Sequence, residues 1–381
     1  MRSGKWLLIL CLAAATTRAQ WQIQPAPTTA DLRGIDALGK GIAWASGSDG
    51  TVLRTTDDGK SWQRCAIPPD AEHLDFRGIQ AFDVSTAIVM SSGKGPLSRL
   101  YKTTDGCKSW TLLFTNPDPD GFWDALRFRA PSDGYVLGDP VGGQFSVGFP
   151  QDWKSSQDWR LLGDQYTQST LVAPEGVRAF AASNSALALS EKDTHPDPKP
   201  EMWFGTSGPG GAFVYYYVDA YSPINPDDEI ADWHKVTVPL AGSDASSGVF
   251  SVAFKADQIG VAVGGDSEKP DEASGTAAFS TDSGKTWELA QTLPHGFRSA
   301  VAYDEAAKTW ITVGPNGTDI STDDGRNWRA LRSNPALHEP ADSDRDWNAL
   351  SLPFVVGPHG RIGKLRPDAL TPASAPKGAK P

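Results

Sequence analysis

Apolar positions in this chain come in short alternating runs, separated by polar turn residues, and the pattern recurs. Residues 32–38 (LRGIDAL), 41–47 (GIAWASG), 51–55 (TVLRT) and 62–68 (WQRCAIP) read as four consecutive strands. Gly, Asp and Ser between them tolerate unusual φ/ψ and make the local hydrogen bonds that tight turns need. No window of about 12 residues shows a clear 3.6-residue apolar period, so helix is expected to be scarce.

A Trp ends each unit's polar turn and serves as a ruler. TTDDGKSW (55–62) returns as TTDGCKSW (103–110), STDSGKTW (280–287) and STDDGRNW (321–328). Degenerate copies place Trp159 and Trp233, and the N-terminal QWQIQPAP places Trp21. The anchors are then Trp21, Trp62, Trp110, Trp159, Trp233, Trp287 and Trp328. Four-stranded units repeated at such spacing predict an all-β, seven-bladed β-propeller spanning residues 20–365. The stretch 347–365 supplies only three strands. Pairing them with the orphan strand at Trp21 closes the last blade from both chain ends and removes an open edge.

The pattern Ser/Thr-x-Asp-x-Gly-x-x-Trp resembles the Asp-box, or BNR repeat, of sialidases, sortilin-type receptors and the photosystem II stability/assembly factor family. Three copies fit fully: Thr55, Asp57, Gly59, Trp62; Ser280, Asp282, Gly284, Trp287; and Ser321, Asp323, Gly325, Trp328. The copy at Asp105 and Trp110 has Cys107 where Gly is expected. In those families the box lies between a blade's third and fourth strands, away from the ligand face. The residues suit scaffolding: Asp accepts turn N–H groups, Gly takes positive φ, and Trp buries its ring between blades. The twelve-residue spacing and closing Glu of a calcium loop are absent, and no metal is expected. Beyond the boxes, LRGIDAL, DFRGIQAF, FTNPDPDGFWDALRF, GYVLGDPVGGQF and SVAFKADQIGVAVGGD resemble exported bacterial relatives of the assembly-factor family. That resemblance implies a non-catalytic propeller with a protein client. A photosynthetic client does not follow from it.

The ends and charge narrow the classes. MRSGKWLLILCLAAATTRA (1–19) has a basic start, a short apolar core and small residues, so it reads as a secretory signal cut after Ala19. The expected location is periplasmic or secreted. Cys11 follows Leu-Ile-Leu with no small residue before it, which speaks against a lipid anchor. No other stretch suits a membrane span. Cys65 and Cys107 remain in the mature chain as a candidate disulfide. A net charge of −11 argues against nucleic acid as a partner. A monomer is expected. Residues 366–381 read as an unstructured tail.

Aligning the first strands gives a candidate ligand-binding column: Arg33, Arg77, Trp123, Arg178, Phe250, Arg298 and Trp347. Two readings stand. Arg stems pack the channel wall while their heads bond carbonyls and Asp, or the ring recognises an anionic ligand or a protein client. Asp124, Asp139 and Asp266 near the same face are candidate catalytic acids, as in glycoside hydrolases, or counter-ions of the Arg ring. A sialidase-like hydrolase is the alternative function. Its Arg-Ile-Pro segment is absent, with RGI at 33–35 in its place, and no Tyr–Glu pair can be placed. Some relatives carry an oxidoreductase label, but no dinucleotide fingerprint, CxxC or CxxCH supports it, so no cofactor is expected. Residues 190–201 and 219–232 of the fourth unit read as loop extensions.

Overall fold

A computed structural model describes residues 20–152, 155–162, 171–190, 200–221, 229–331, 342–367 and 369–370. The signal segment 1–19 and most of the tail lie outside these residues. Seven four-stranded antiparallel sheets form the molecule, each a meander whose first strand is innermost.

The first blade is β2 (Leu32–Gly39), β3 (Ile42–Gly47), β4 (Val52–Thr55) and β5 (Gln63–Arg64), preceded by β1 (Trp21–Gln24). The second is β6 (Phe76–Ala81), β7 (Ala87–Ser91), β8 (Arg99–Thr103) and β9 (Thr111–Thr115). The third is β10 (Trp123–Ala130), β11 (Asp133–Val141), β12 (Gln144–Asp152) and β13 (Ser155–Leu162). The fourth is β14 (Leu187–Leu189), β15 (Pro200–Thr206), β16 (Phe213–Tyr221) and β17 (Glu229–Thr237). The fifth is β18 (Ser247–Lys255), β19 (Ile259–Asp266), β20 (Ala277–Ser280) and β21 (Glu288–Leu289). The sixth is β22 (Ala300–Asp304), β23 (Thr309–Gly314), β24 (Gly317–Ser321) and β25 (Arg329–Ala330). The seventh is β26 (Ala349–Ser351), β27 (Phe354–Val356) and β28 (Ile362–Leu365), completed by β1, whose Trp21 pairs with Leu365. Among the described residues, helix is limited to a 3-10 turn at Gly95–Leu97.

The repeated turns connect the third and fourth strands of blades one, two, five and six. In each, the opening hydroxyl donates to the Asp and accepts an amide N–H four residues on: Thr55 to Asp57 at 2.9 Å, and Gly59 N to Thr55 at 3.0 Å. The second Asp oxygen takes a hydroxyl at 2.6 Å from Ser61. The bond from the Ser61 hydroxyl, and then that from its amide, hold Asp57 at about 2, and Ser109 does the same for Asp105. Each turn's Trp packs against the preceding blade. Trp62 meets Phe354 edge-on at 5.6 Å, and Trp110 donates to Ala66 O. Cys107 takes φ +62° at the box Gly position, and a disulfide joins it to Cys65 of the first blade.

Blades three and four lack the box, and their outer hairpins are longer. β12, β13, β16 and β17 run eight or nine residues, against two to five for β5, β9, β21 and β25. Trp159 and Trp233 therefore sit inside strands and not at a strand's start. This corrects the loop reading of 219–232: Asp219–Tyr221 pair with Glu229–Ala231. The segment 222–228 lies outside the described residues, as do 191–199 of the other predicted loop (190–201), whose last residues, Pro200 and Glu201, begin β15. Ala369 and Leu370, within the segment read as a tail, pack on the cluster around Trp21 and Trp347.

Blade four departs most from the sequence reading. Its inner strand is Leu187–Leu189, not GVRAFAAS (176–183). Arg178 makes one bridge to Ser207, and the chain then leaves the sheet until Ala186. The excursion plugs the channel. Asn184 Nδ2 donates to Ile79 O and its Oδ1 accepts from Leu126 N. The Ser183 hydroxyl donates to Ser299 O, and that of Ser185 to Ser251 Oγ. One segment thereby ties blades two, three, five and six together.

Candidate functional site

The inner strands carry a bulge at their mouth end. Register slips between Leu32 and Gly34, Phe76 and Gly78, Trp123 and Ala125, and Val249 and Ser251. A bulge leaves one residue out of the ladder and re-aims its side chain. The residues so placed are Arg33, Arg77, Asp124 and Phe250.

This register divides the predicted column into two. In five blades a Gly at or near the end of the second strand faces the backbone just before the column. A Cβ on Gly47 would lie 2.2 Å from Asp31 O, and one on Gly314 would lie 2.2 Å from Phe297 O. The same crowding occurs at Gly138, Gly264 and Gly357. Leu32, Trp123, Val249, Arg298 and Trp347 are therefore equivalent, as are Arg33, Asp124, Phe250, Ser299 and Asn348. In blades three, six and seven the sequence alignment was one residue early, and one residue exchanges the two faces of a strand.

The first set is interior. Trp123 stacks on Phe114 at 5.6 Å, and Trp347 packs against Trp21 at 6.0 Å. Arg298 is 0% exposed and ion-pairs with Asp319. It also donates to Asn316 Oδ1 and Phe297 O, both at 2.6 Å. Burial pushes Asp319 up, but the hydrogen bond from His295 and the Arg298 charge prevail and hold it below its usual range. None of Trp123, Arg298 and Trp347 faces the mouth. Phe250 occupies the bulge position, but Phe180 of the excursion stacks on it at 3.5 Å and covers it.

What reaches the mouth is a charged crescent from blades one to four. Arg33 Nε lies 3.3 Å from Asp75 Oδ1, and Nη2 lies 3.9 Å from Asp31. Arg77 Nε donates to Asp75 Oδ2 at 2.7 Å and Nη1 to Ala181 O at 3.2 Å. Arg178, 69% exposed, lies 3.8 Å from Asp139. Asp139 also accepts the Ala179 N–H at 3.2 Å, and the pair lines a cleft of about 250 Å³ with Asp120, Pro174 and Glu175.

Asp124 is 2% exposed, and its Oδ2 has no hydrogen-bond partner. Burial, then the charge of Asp139, push its carboxyl well up, against the pull of Arg77 and Arg178. Burial raises Asp139 to about 6, against the opposing charge of Arg178. Asp266 stands apart: it accepts from Ser246 Oγ, Glu268 N and Lys269 Nζ, and the Lys269 bond leads in holding it low. Of the three acids proposed from sequence, Asp124 and Asp139 are thus raised together by burial, while Asp266 fastens a loop. Sequence reasoning missed Asp31, Asp75 and the excursion. The five glycines at or near the ends of the second strands were the available register signal.

No family model matches the chain. Among curated proteins it resembles the photosystem II assembly lipoprotein Ycf48 of Synechococcus sp. (strain CC9902), at 24% identity over 272 residues. The match covers 69% of this chain and 64% of the length of that protein. The chain is related to Ycf48. Among solved structures, YCF48 bound to D1 peptide superposes with a TM-score of 0.53 at 15% identity, covering 91% of this chain and 96% of that one. YCF48 from Cyanidioschyzon merolae gives 0.53 at 16%, covering 92% and 100%. At these identities the Ycf48 structures speak for the shared fold.

Proposed function

We propose that this chain is an exported, non-catalytic propeller that binds a protein client through a carboxylate-bearing segment at the Arg33–Arg77–Arg178 crescent. One observation carries this reading: a chain related to an assembly factor, whose structural neighbour holds a peptide, presents three guanidinium groups at its mouth, the most exposed of them beside Asp139, which burial raises to about 6. Guanidinium forks match carboxylates in a way Lys does not. Arg178 is the most exposed of the three and is paired only at 3.8 Å, so a client carboxylate can compete with Asp139 for it. The Asp-boxes act as scaffold, in the manner of the sialidase-like propellers they resemble, and the chain works as a monomer after loss of residues 1–19.

The test is capture of proteins from the native envelope by wild type and by the Arg77→Ala/Arg178→Ala double variant. Loss of specific capture at unchanged melting temperature supports the reading; equal capture rejects it. N-terminal sequencing of the exported protein tests cleavage after Ala19.

A second reading rests on the two raised acids. Asp124, whose carboxyl burial pushes well up, and Asp139, raised to about 6, form an acid pair of the kind glycoside hydrolysis uses. Turnover of aryl glycosides that disappears in Asp124→Asn would favour it over client binding.

A further inference from the structure

The excursion through Asn184 closes the channel midway and leaves a separate cavity beneath it. This cavity holds about 580 Å³, within the usual range for small-ligand sites. Its walls are the far ends of inner strands, with Leu189, Val252, Val301 and Leu350 among the apolar ones, and Ser185 of the plug borders it. One guanidinium, that of Arg127, lines it as well.

Arg127 Nε donates to Leu187 O at 3.3 Å. Among the described residues, its two terminal amino groups have no hydrogen-bond partner and no carboxylate comes within 4.0 Å. The opposing charge it feels is that of Asp36, whose carboxylate already accepts the Ala81 N–H at 2.7 Å. Burial makes Asp36 a reluctant anion, so the compensation is weak. A half-buried guanidinium whose open donors face a cavity is a ready partner for a carboxylate. The tie between blades three and four does not rest on Arg127, because Arg129 Nε donates to Ser190 O at 3.0 Å and its Nη2 to Glu201 Oε2 at 3.3 Å.

We propose that this lower cavity binds a small organic acid, its single carboxylate on Arg127 and its apolar body against Leu189, Val252, Val301 and Leu350. Two features favour one negative charge over several. Asp257 and Glu305 stand at the cavity's edge, where they repel polyanions such as phosphates. Both are already engaged, by the Ser190 hydroxyl at 2.7 Å and by Lys308 at 2.8 Å.

Octanoate and benzoate are the probes, titrated into the whole mature protein by calorimetry, with methyl NMR on the wild type. The expected result is saturable one-to-one octanoate binding, at least about tenfold weaker in Arg127→Gln and unchanged in Arg178→Ala. Methyl signals of Val252, Val301 and Leu350 shift along the same curve. The proposal is overturned if neither acid saturates by about 10 mM, or if Arg127→Gln binds equally. It is also overturned if shifts cluster at the mouth, or if only a carboxylate-ended peptide binds. Should Arg127→Gln not fold, the wild-type methyl map decides alone. Because Arg178→Ala leaves this site intact, its failure and failure of the client reading are separable.

Discussion

Arg178 Nη1 lies 3.8 Å from Asp139 Oδ2, and Asp139 is a carboxylate that burial holds at about 6. The Arg most open to a client is thus restrained by an acid that gives up its charge just below neutrality. As pH falls from about 7 to about 5, Asp139 takes a proton and releases Arg178. A client carboxyl with an ordinary pKa of about 4 stays largely ionised over that range. Client capture is therefore expected to tighten as pH falls, and Asp139→Asn to abolish the dependence. Affinity measured across this range checks it; a flat wild-type profile removes the role given to the Asp139 proton. For stability the sign is the same: the folded value lies above the unfolded one, so stability is lost as pH rises through about 6.

Arg298 is a structural arginine, and its replacement should act on folding. Arg298→Met leaves the buried Asp319 with His295 as its remaining cationic partner, and breaking such a buried pair costs up to about 3–5 kcal/mol. Denaturant melts should show that loss, while client capture by the folded fraction stays at the wild-type level. Unchanged stability would mean that the Asp319 network tolerates the gap.

The disulfide closes a loop 42 residues long between the first blade and the second blade's turn. In the chain-entropy account, such a loop is worth about 4 kcal/mol. Cys107 also sits at φ +62°, where Gly is at ease and a side chain is strained. Cys65→Ala/Cys107→Gly should therefore melt higher than Cys65→Ala/Cys107→Ala, by about 1 kcal/mol, with both below wild type. Equal melting of the two would show that the turn does not need Gly there.

The four repeated turns should set the acid limit of the fold. Asp57 and Asp105 lie at about 2, and Asp282 and Asp323 are lowered too. Their folded values lie below the unfolded one, so their contribution is present above about 4 and fades as pH falls toward about 2. Thermal melts should steepen in that window, and replacing the four Asp by Asn should flatten the slope. A slope that survives the replacement would place the acid sensitivity elsewhere.

Within the candidate site, legibility followed locality. Arg33 and Arg77 were found because Leu-Arg-Gly-Ile and Phe-Arg-Gly-Ile repeat with the bulge in the same place. Trp123 displaced Asp124 in the alignment because a bulky aromatic looks like a mouth residue until the bulge is known. Arg298 was taken for a ligand group because its partners, Asp319 and Asn316, come from a neighbouring hairpin. The segment GVRAFAAS (176–183) looked like a strand, but the chain leaves the sheet after Arg178. The excursion's hydrogen bonds go to blades two, three, five and six, and none of those partners is near it in the chain.

The sequence by itself determined the number of blades, the position of the repeated turns and the closure of the last blade by Trp21. Each of these rests on two-residue alternation, local turn chemistry and a spacing that repeats. Only the tertiary structure decided which arginines face the mouth, where the channel is plugged and which acids burial pushes up. A one-residue bulge exchanges the faces of a strand, and burial of Asp124 and Asp139 depends on segments far away in the chain.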